Sequence, residues 1–328
     1  MISKLDVEAL NYEDVVLVPQ WSAINSRDDV ELFHYYEKNV FIPIFSAPMK
    51  GISEPELIVA ISKKGGVGIL HRFFDSQETR YAAVDNISEE VNYFGVAIGV
   101  KNLDEELKFF DYAYDRGCRF ICLDSASGYL QKTIEAVRTI AKHRKFNGMD
   151  FQIIAGNVVD DLGCFYLADA GTDFIRCGIG SGTLCTTTKK ISIGSPTLTT
   201  AIQCSKIKDR FPNIRLIADG GISNSGQALK AFAFGMNAVM VGSLFGHSVE
   251  ANNNGKIMGM SSFSHQDKMG KTRKSNEGIE INIPEDEIKP FNEIWEEFTY
   301  GLKSGLSYLG CSNLQNLHNV DIEYIKVK

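Results

Sequence analysis

The stretch YFGVAIGV (93–100), LDEELKFFDYAYDRG (103–117) and FICLDSA (120–126) decides the fold, because it reads as strand, helix and strand. The two outer runs are apolar without strict alternation, which is typical of parallel strands covered on both faces. The middle run has a helical pattern and ends in Gly117, a residue type that often follows the last turn of a helix. The stretch therefore predicts one strand–helix–strand unit of a parallel sheet.

The same alternation recurs along the chain. Six further apolar runs are predicted as strands, namely PIFSAPM (43–49), GGVGIL (65–70), FQIIAGNV (151–158), DFIRCGI (173–179), IRLIADGG (214–221) and AVMVGSLF (238–245). Eight βα repeats in one series favour a closed (β/α)8 TIM barrel of the α/β class over an open sheet. We expect one domain over residues 1–328 and, because the second and third strands are closely connected, no inserted domain. A polar segment at about 248–285, after the eighth strand, is predicted to be a mobile flap.

Composition and charge restrict the function. The 328 residues are 44% hydrophobic and carry a formal net charge of −7, so no broad basic surface favours nucleic acid or an anionic membrane. No apolar run approaches a membrane span, and the amino-terminal residues lack an apolar signal core. We expect a cytoplasmic protein that binds neither nucleic acid nor membrane and holds any phosphate in a local site.

Seven cysteines are present, and none has the spacing of a zinc site. Most are expected to be small core residues. Cys185 differs, because it follows the glycine-rich turn GIGSGTLCTT (178–187) on the long connection after the sixth strand. Barrel chemistry lies at the carboxyl ends of the strands, where a thiolate could act as a nucleophile. The spacing alone leaves two interpretations open, a nucleophile and a cysteine packed beneath the turn.

The seventh and eighth strands end in glycine-rich turns that predict phosphate binding. Gly220 and Gly221 follow Asp219, and Gly242 and Ser243 follow the eighth strand. The loops after strands seven and eight hold phosphate in many barrels. Asp219 would repel phosphate and suits ribose hydroxyls as an acceptor. The alternative is that these glycines only turn the chain.

Other polar residues at strand ends have two interpretations. Asp124, Ser125 and Asn157 could bind a second ligand or cap the helices that follow them. His71 is expected to have no acid–base role. Glu277, in the flap, is a candidate acid or base, since a closing flap would bring it over a ligand.

Taken together, the motifs resemble the IMP dehydrogenase/GMP reductase family over nearly the whole chain. The segments that carry the resemblance occur in family order and are LNYEDVVLVPQWS (10–22), PIFSAPMKGIS (43–53), GGVGILHR (65–72), CLDSASGY (122–129), IIAGNVV (153–159), AGTDFIRCGIGSGTLCTT (170–187), IADGGIS (217–223) and GMSS (259–262). The resemblance implies that Cys185 attacks C2 of a purine nucleotide and that hydride passes between C2 and a nicotinamide. It also implies a homotetramer.

The resemblance further implies a site of three parts. The substrate-binding residues would be Ser46, Thr183, Asp219, Gly220, Gly221, Gly242, Ser243, Met260, Ser261, Lys274 and Asn276. The cofactor-binding residues would be His71, Arg72, Asp124, Ser125, Ala126 and Asn157. A potassium ion would lie against carbonyl groups of Gly180, Gly182 and Cys185.

Within the family, the sequence resembles the reductase branch. Dehydrogenases activate water with an arginine–tyrosine pair on the flap, but no tyrosine occurs between Tyr166 and Tyr300. CTTTKKISIGSPTL (185–198), GMSS and NEGIEINIP (276–284) resemble the reductase forms, in which Thr187 and Glu277 would handle the protons of ammonia. The resemblance then implies the conversion of GMP and NADPH to IMP and ammonia.

Several positions depart from the family pattern. The departures lie at Ser181, Thr183, Thr188, Lys274 and Asn276, near the base and phosphate contacts. A modified or deoxy guanine nucleotide is therefore an alternative substrate. Two different functions also stay open, that of an IMP dehydrogenase without the regulatory domain and that of a purine-nucleotide-binding barrel without catalysis.

Overall fold

The computed structural model describes residues 7–36, 39–180, 191–258 and 280–327, except for the side chains of residues 35, 36, 39 and 258. Eight parallel strands form one sheet. They are β1 Ile44–Ser46, β2 Ile69–Leu70, β3 Phe94–Ile98, β4 Cys118–Leu123, β5 Gln152–Val158, β6 Phe174–Cys177, β7 Arg215–Asp219 and β8 Ala238–Val241. Seven of the eight predicted runs contain one of these strands, and the run at 120–126 overlaps β4, which begins two residues earlier at Cys118.

The sheet closes on itself. Hydrogen bonds join neighbouring strands in the order β1, β8, β7, β6, β5, β4, β3, β2. The two ends of this series meet where Phe45 forms a parallel bridge with Val67, beside a 3.0 Å hydrogen bond from the Ser46 amide to the Val67 carbonyl. The predicted (β/α)8 barrel is confirmed.

A helix of nine or more residues follows each strand. The helices are α1 Pro55–Lys63, α2 Gln77–Ser88, α3 Leu103–Tyr114, α4 Gln131–Asn147, α5 Asp161–Ala170, α6 Thr197–Ser205, α7 Ser225–Ala233 and α8 Phe291–Tyr308. Three of these helices, α2, α5 and α7, are capped by side chains that accept a hydrogen bond from a backbone amide in the first turn, namely Ser76, Asp160 and Asn224. Each such cap stabilises a helix by about 1 kcal/mol. Residues 89–93 alone join α2 to β3.

The strands are apolar on both faces because each face is buried. Along β7, Ile217 points into the barrel, whereas Leu216 and Ala218 pack against the surrounding helices. At the amino end of the barrel, Phe41 packs edge to face on Phe45 and Phe120, with ring centroids 5.7 and 5.6 Å apart. The interior is therefore a filled core, and the open end is the carboxyl end of the strands.

Three antiparallel pairs of short strands lie outside the barrel. Their partners are Val15–Leu17 with Tyr324–Lys326, His34–Tyr36 with Asn39–Phe41, and Lys256–Met258 with Glu280–Asn282. The last pair lies at the two ends of the predicted flap, where the buried Ile257 and Ile283 fix both ends to the barrel. A four-residue helix, Ser243–Gly246, follows β8. Within the described ranges, no helix is both long and apolar enough to cross a membrane.

Candidate active site

The open end of the barrel gathers polar side chains from several strands. Asn157 and Arg176 lie near the carboxyl ends of β5 and β6, and Asp219 is the last residue of β7. Asp124 directly follows β4, and Arg72 follows β2. Because all eight strands are parallel, these residues meet at one face of the barrel. Strand-end positions in the sequence predicted this arrangement for Asp124, Asn157 and Asp219, and the family resemblance implied that Arg72 lies with them.

Asp219 is the centre of a hydrogen-bonded network. Its Oδ2 accepts a 2.8 Å hydrogen bond from Arg176 Nε and a 2.7 Å hydrogen bond from Asn157 Nδ2. Asn157 Nδ2 also donates to the carbonyl oxygen of Gly178, at 2.7 Å. Asn157 therefore connects the carboxylate to the first residue of the cysteine-bearing turn.

Arg176 keeps its charge inside this network. Burial lowers the pKa of the guanidinium. The Asp219 carboxylate beside it acts in the opposite direction, and the pKa of Arg176 is raised overall. The two side chains are only 11% and 14% exposed, and each neutralises a charge that would be costly to bury alone. The pair fixes the position of the Asp219 carboxylate.

Sequence reasoning missed Arg176. The signal was present, since DFIRCGI places one charged residue inside an otherwise apolar strand. Phe174, two residues earlier, points into the barrel, so the period of the strand directs Arg176 the same way. An inward charge near the end of β6 required a partner on a neighbouring strand, and Asp219 on β7 is that partner.

A second ion pair lies across the mouth of the barrel. Arg72 Nε donates to Asp124 Oδ2 at 2.8 Å, and the guanidinium lies 4.4 Å from the centre of the Phe73 ring. The Arg72 and Asp124 side chains are 30% and 23% exposed. This pair therefore offers a charged donor and a carboxylate acceptor to a ligand in the mouth.

Two residues predicted beside Asp124 differ in their surroundings. Ser125 Oγ lies 2.7 Å from Thr133 Oγ1 and 3.3 Å from the Ser127 carbonyl oxygen, so it ties the loop to α4. Ala126 is exposed on the same loop. The interpretation in which Ser125 supports the following helix is thus consistent with its contacts.

His71 is enclosed by protein groups. Its Nδ1 accepts a 3.0 Å hydrogen bond from the Phe73 amide, so the proton on a neutral ring lies on Nε2, 3.1 Å from Glu54 Oε1. The ring stacks on Phe74 and its side chain is 1% exposed. Burial raises the pKa of Glu54, but hydrogen bonds from His71 and the Gly51 amide outweigh burial and lower it overall. His71 therefore holds the loop that presents Arg72.

Ser46 is also enclosed. Its Oγ lies 2.8 Å from Ser53 Oγ and accepts a 2.9 Å hydrogen bond from the Ile69 amide. Both serines are fully buried. The hydroxyl group joins β1 to β2, and these contacts are with protein rather than with the open mouth.

The predicted phosphate turns lie side by side. β7 pairs with β8 in a register that places Asp219 opposite Met240, so the turns after both strands are adjacent. Gly220 and Gly221 have φ of +103° and +74°, and all four turn residues, Gly242 and Ser243 included, are half-buried. A phosphate group between the two turns would be reached by backbone amides from both.

A cavity of about 590 Å³ lies beside these turns. It lies between the turn after β7, the helix Ser243–Gly246, the strand pair Lys256–Met258 and Glu280–Asn282, and α8. On its wall, His247 Nδ1 lies 3.6 Å from Glu287 Oε2. The cavity is lined by Ser243 and by residues of both strands that lie within the predicted flap, Ile257 and Ile281.

The remaining predicted site residues lie outside the described residues. They are Gly182, Thr183, Cys185, Thr187, Met260, Ser261, Lys274, Asn276 and Glu277. Gly180, the described member of the predicted potassium site, has φ of +78°. The roles assigned to these residues stay predictions.

The fold and this face define a (β/α)8 barrel with a polar site at the carboxyl ends of its strands. Comparison with known proteins identifies the group. The family model of the IMP dehydrogenase / GMP reductase domain matches residues 9–328, and the chain belongs to this family. Its members are oxidoreductases.

Relatives from both branches are similar to the chain. GMP reductase of Oenococcus oeni is 29% identical over 96% of this chain and 96% of that protein. GMP reductase of Caenorhabditis elegans is 28% identical over 94% of this chain and 89% of that protein. Inosine-5'-monophosphate dehydrogenase of Borreliella burgdorferi is 27% identical over 100% of this chain and 96% of that protein. Overall identity does not separate the two branches.

Proposed function

We propose that this protein catalyses the NADPH-dependent reductive deamination of GMP to IMP and ammonia. The observation that carries the choice of branch is the missing tyrosine between Tyr166 and Tyr300, together with Glu277 in the flap segment. Without a tyrosine there, the water-activating pair expected of a dehydrogenase is lacking. The similarity to GMP reductases supports the same choice.

The barrel topology supports a two-sided site. In the closed order of strands, β7 and β8 lie opposite β3 and β4. The phosphate turns and Asp219 would hold the nucleotide on one side, with Asp219 accepting hydrogen bonds from ribose hydroxyls. Asn157 and Gly178, the first residue of the cysteine-bearing turn, lie between the two sides, where purine C2 would be placed.

The side chains on the other side fit a nicotinamide cofactor. The half-exposed Arg72–Asp124 pair combines a donor with an acceptor, as a carboxamide and a nearby phosphate require. When bound, NADPH would supply the hydride for C2. Asp124 and Arg72 would orient it, while His71 and Ser125 would hold their loops. Asn157 would position the turn that carries Cys185.

In the proposed reaction, Cys185 forms the covalent bond to C2 of GMP. The Cys185 thiolate adds to C2, and the exocyclic amine leaves as ammonia after Thr187 and Glu277 deliver a proton. Once hydride has been added to C2, the C2–sulfur bond breaks, which releases IMP and regenerates the thiolate. The potassium ion would act on the same turn, through the carbonyl groups of Gly180, Gly182 and Cys185.

One assay tests this function. The protein is mixed with GMP and NADPH, and separately with IMP and NAD, while the absorbance of the reduced cofactor is followed. Consumption of NADPH with GMP supports the proposal. Production of NADH from IMP would favour the dehydrogenase, which the similarity to inosine-5'-monophosphate dehydrogenases makes the second candidate. Deoxy-GMP and NADH in parallel reactions test the nucleotide and the cofactor, and nucleotide binding without turnover would favour a binding barrel.

Cys185→Ala should bind GMP but lose turnover. The expected fall in kcat is about 10⁴-fold or more, because the variant cannot form the covalent bond. Stopped-flow measurement of NADPH oxidation and calorimetric GMP binding check the two halves of this prediction. Cys311→Ala, which changes a buried cysteine next to Leu309 and away from the site, is the control. Turnover by Cys185→Ala near the wild-type rate would overturn the covalent mechanism.

The assembly and location also stay proposals. The homotetramer follows from the family resemblance, whereas one domain over residues 1–328 and a cytoplasmic location are expectations from the sequence patterns. Light scattering coupled to size-exclusion chromatography measures the first, and a mass near that of a single 36.4 kDa chain would contradict it.

A further inference from the structure

Three cysteines from separate elements meet in the layer between barrel and helices. Cys164 lies on α5, Cys177 is the last residue of β6, and Cys204 lies on α6. Their sulfur atoms all lie within 4.8 Å of one another. The three residues are free thiols with exposures of 0%, 4% and 0%. We call this group the thiol cluster.

The three thiols of the cluster are hydrogen-bond partners of one another. Hydrogen bonds from Cys177 and Cys204 lower the pKa of Cys164, whereas burial raises the pKa of Cys177 and of Cys204. One thiolate is therefore stabilised by two neighbouring thiols. A thiolate is the form of cysteine that binds metals.

The geometry is close to that of a shared ion. Soft metal ions bind thiolate sulfur at about 2.3 Å, so three sulfurs around one ion lie at most about 4 Å apart. Each sulfur would have to move by less than about 1 Å from the arrangement observed.

We propose that Cys164, Cys177 and Cys204 form a binding site for a thiophilic ion held by three sulfurs, best suited to trivalent arsenic. Arsenite, As(OH)3, reacts with three thiols to give one As(S-Cys)3 group and three water molecules. Three As–O and three S–H bonds break, three As–S and three O–H bonds form in the product and released water, and no oxidation state changes.

The net charge of the bound group favours a trivalent ion over a divalent or monovalent one. The arsenic product is neutral, as suits an apolar interior in which an uncompensated charge is costly. A divalent ion on three thiolates would leave one negative charge, and a monovalent ion would leave two. Structural zinc sites need four ligands, whereas the group found within the described part of the chain has three.

The site adjoins the proposed active site. Cys177 is followed by Gly178, whose amide donates to the Val158 carbonyl and whose carbonyl accepts from Asn157. Tying Cys177 to α5 and α6 would therefore constrain the base of the cysteine-bearing turn. We expect arsenite bound at the thiol cluster to lower turnover as well.

The test is arsenite binding by the full chain, measured by native mass spectrometry. One arsenic should bind with the loss of three protons, both in wild-type protein and in Cys185→Ala. Because the three thiols are buried, alkylation is carried out in urea, which exposes them in the arsenic-free chain; peptide mapping should then show that bound arsenic protects Cys164, Cys177 and Cys204. This mapping uses unmutated protein, so it does not depend on the folding of any variant.

Variants locate the site. Cys204→Ala and Cys164→Ala should each weaken binding on the order of 100-fold or more, since even loss of an outer partner costs 10–100-fold in metal sites. Cys311→Ala, another buried cysteine, should bind like wild type. Equal binding by wild type and Cys204→Ala, or protection of other cysteines instead, would overturn the proposal. Tighter binding of Cd²⁺ than of arsenite would overturn the choice of a trivalent ion.

Discussion

At the scale of single residues, Asp219 joins three strands through one oxygen atom. Oδ2 accepts hydrogen bonds from Arg176 on β6 and Asn157 on β5, while Asp219 itself ends β7. Such a carboxylate cannot be changed alone without leaving a cation unpaired. The contribution of Asp219 to the free energy of unfolding therefore cannot be separated from that of Arg176.

Asp219→Asn should destabilise the protein by about 3 kcal/mol, because it leaves the Arg176 guanidinium buried without its partner. Arg176→Met should lower the free energy of unfolding by a similar amount, because it leaves the Asp219 carboxylate buried without its cation. The double variant should cost much less than the sum, since it removes both charges. Urea unfolding of the four proteins measures this coupling, and costs that simply add would show that the two side chains act independently.

Sequence reasoning located these residues better than it described their contacts. Position at the end of a strand predicted that Asp219, Asn157 and Asp124 share one face. The same reasoning could not show that His71 and Ser46 are enclosed, because enclosure depends on packing by Glu54 and Ser53 from elsewhere in the chain. The position of a residue at the end of a strand predicts which face of the barrel it lies on, but not which side chains surround it.

At the scale of elements, the helix ends show where local sequence is sufficient. Gly117 closes the turn after α3 at φ +95°, and Gly148 follows α4 at φ +61°. The sequence predicted the helix end at Gly117 from the residue type alone. It could not predict that the backbone of Asn92, before β3, packs against this glycine.

Gly117→Ala should be more destabilising than Gly148→Ala. A Cβ at Gly117 would lie 2.8 Å from the backbone Cα and oxygen of Asn92, whereas nothing lies within 4 Å of one at Gly148. We expect a loss of about 1 kcal/mol at Gly148, from the left-handed backbone alone, and roughly 2–4 kcal/mol at Gly117. The midpoints of urea unfolding measure the difference. Equal midpoints would mean that the Asn92 backbone can move away from the added methyl group without a loss of stability.

At the scale of the whole molecule, contacts between distant segments were outside the reach of sequence patterns. Val15–Leu17 pairs with Tyr324–Lys326, and the thiol cluster joins three elements. Cysteine spacing indicated no metal site and predicted that most cysteines are core residues, because spacing reports only neighbours along the chain. The apolar runs predicted the barrel, because each βα repeat is encoded by residues close in sequence. The pairing of the amino-terminal and carboxyl-terminal strands depends on tertiary packing and could not be predicted in this way.

His34 makes the stability of the whole molecule depend on pH. It lies on the strand His34–Tyr36 at the amino end of the barrel, where the Gln315 side-chain nitrogen is 3.4 Å from its Nε2. Burial, followed by the charges of Arg215 and Lys208, lowers the pKa of His34 to about 4.

Because an unfolded histidine has a pKa near 6.5, the unfolded chain binds more protons between pH 6.5 and pH 4. The contribution of His34 to stability is therefore complete above pH 6.5 and is lost as the pH falls toward 4. At pH 5 the loss should be about 2 kcal/mol. Urea unfolding at pH 7, 6 and 5 measures it. His34→Gln should reduce the dependence in this window without abolishing it, because burial and the charge of Lys208 also lower the pKa of the neighbouring His318 to about 4. Lys208→Met should reduce the dependence further by removing a cation that faces both histidines. A His34→Gln variant with the wild-type slope would assign the acid sensitivity to other groups.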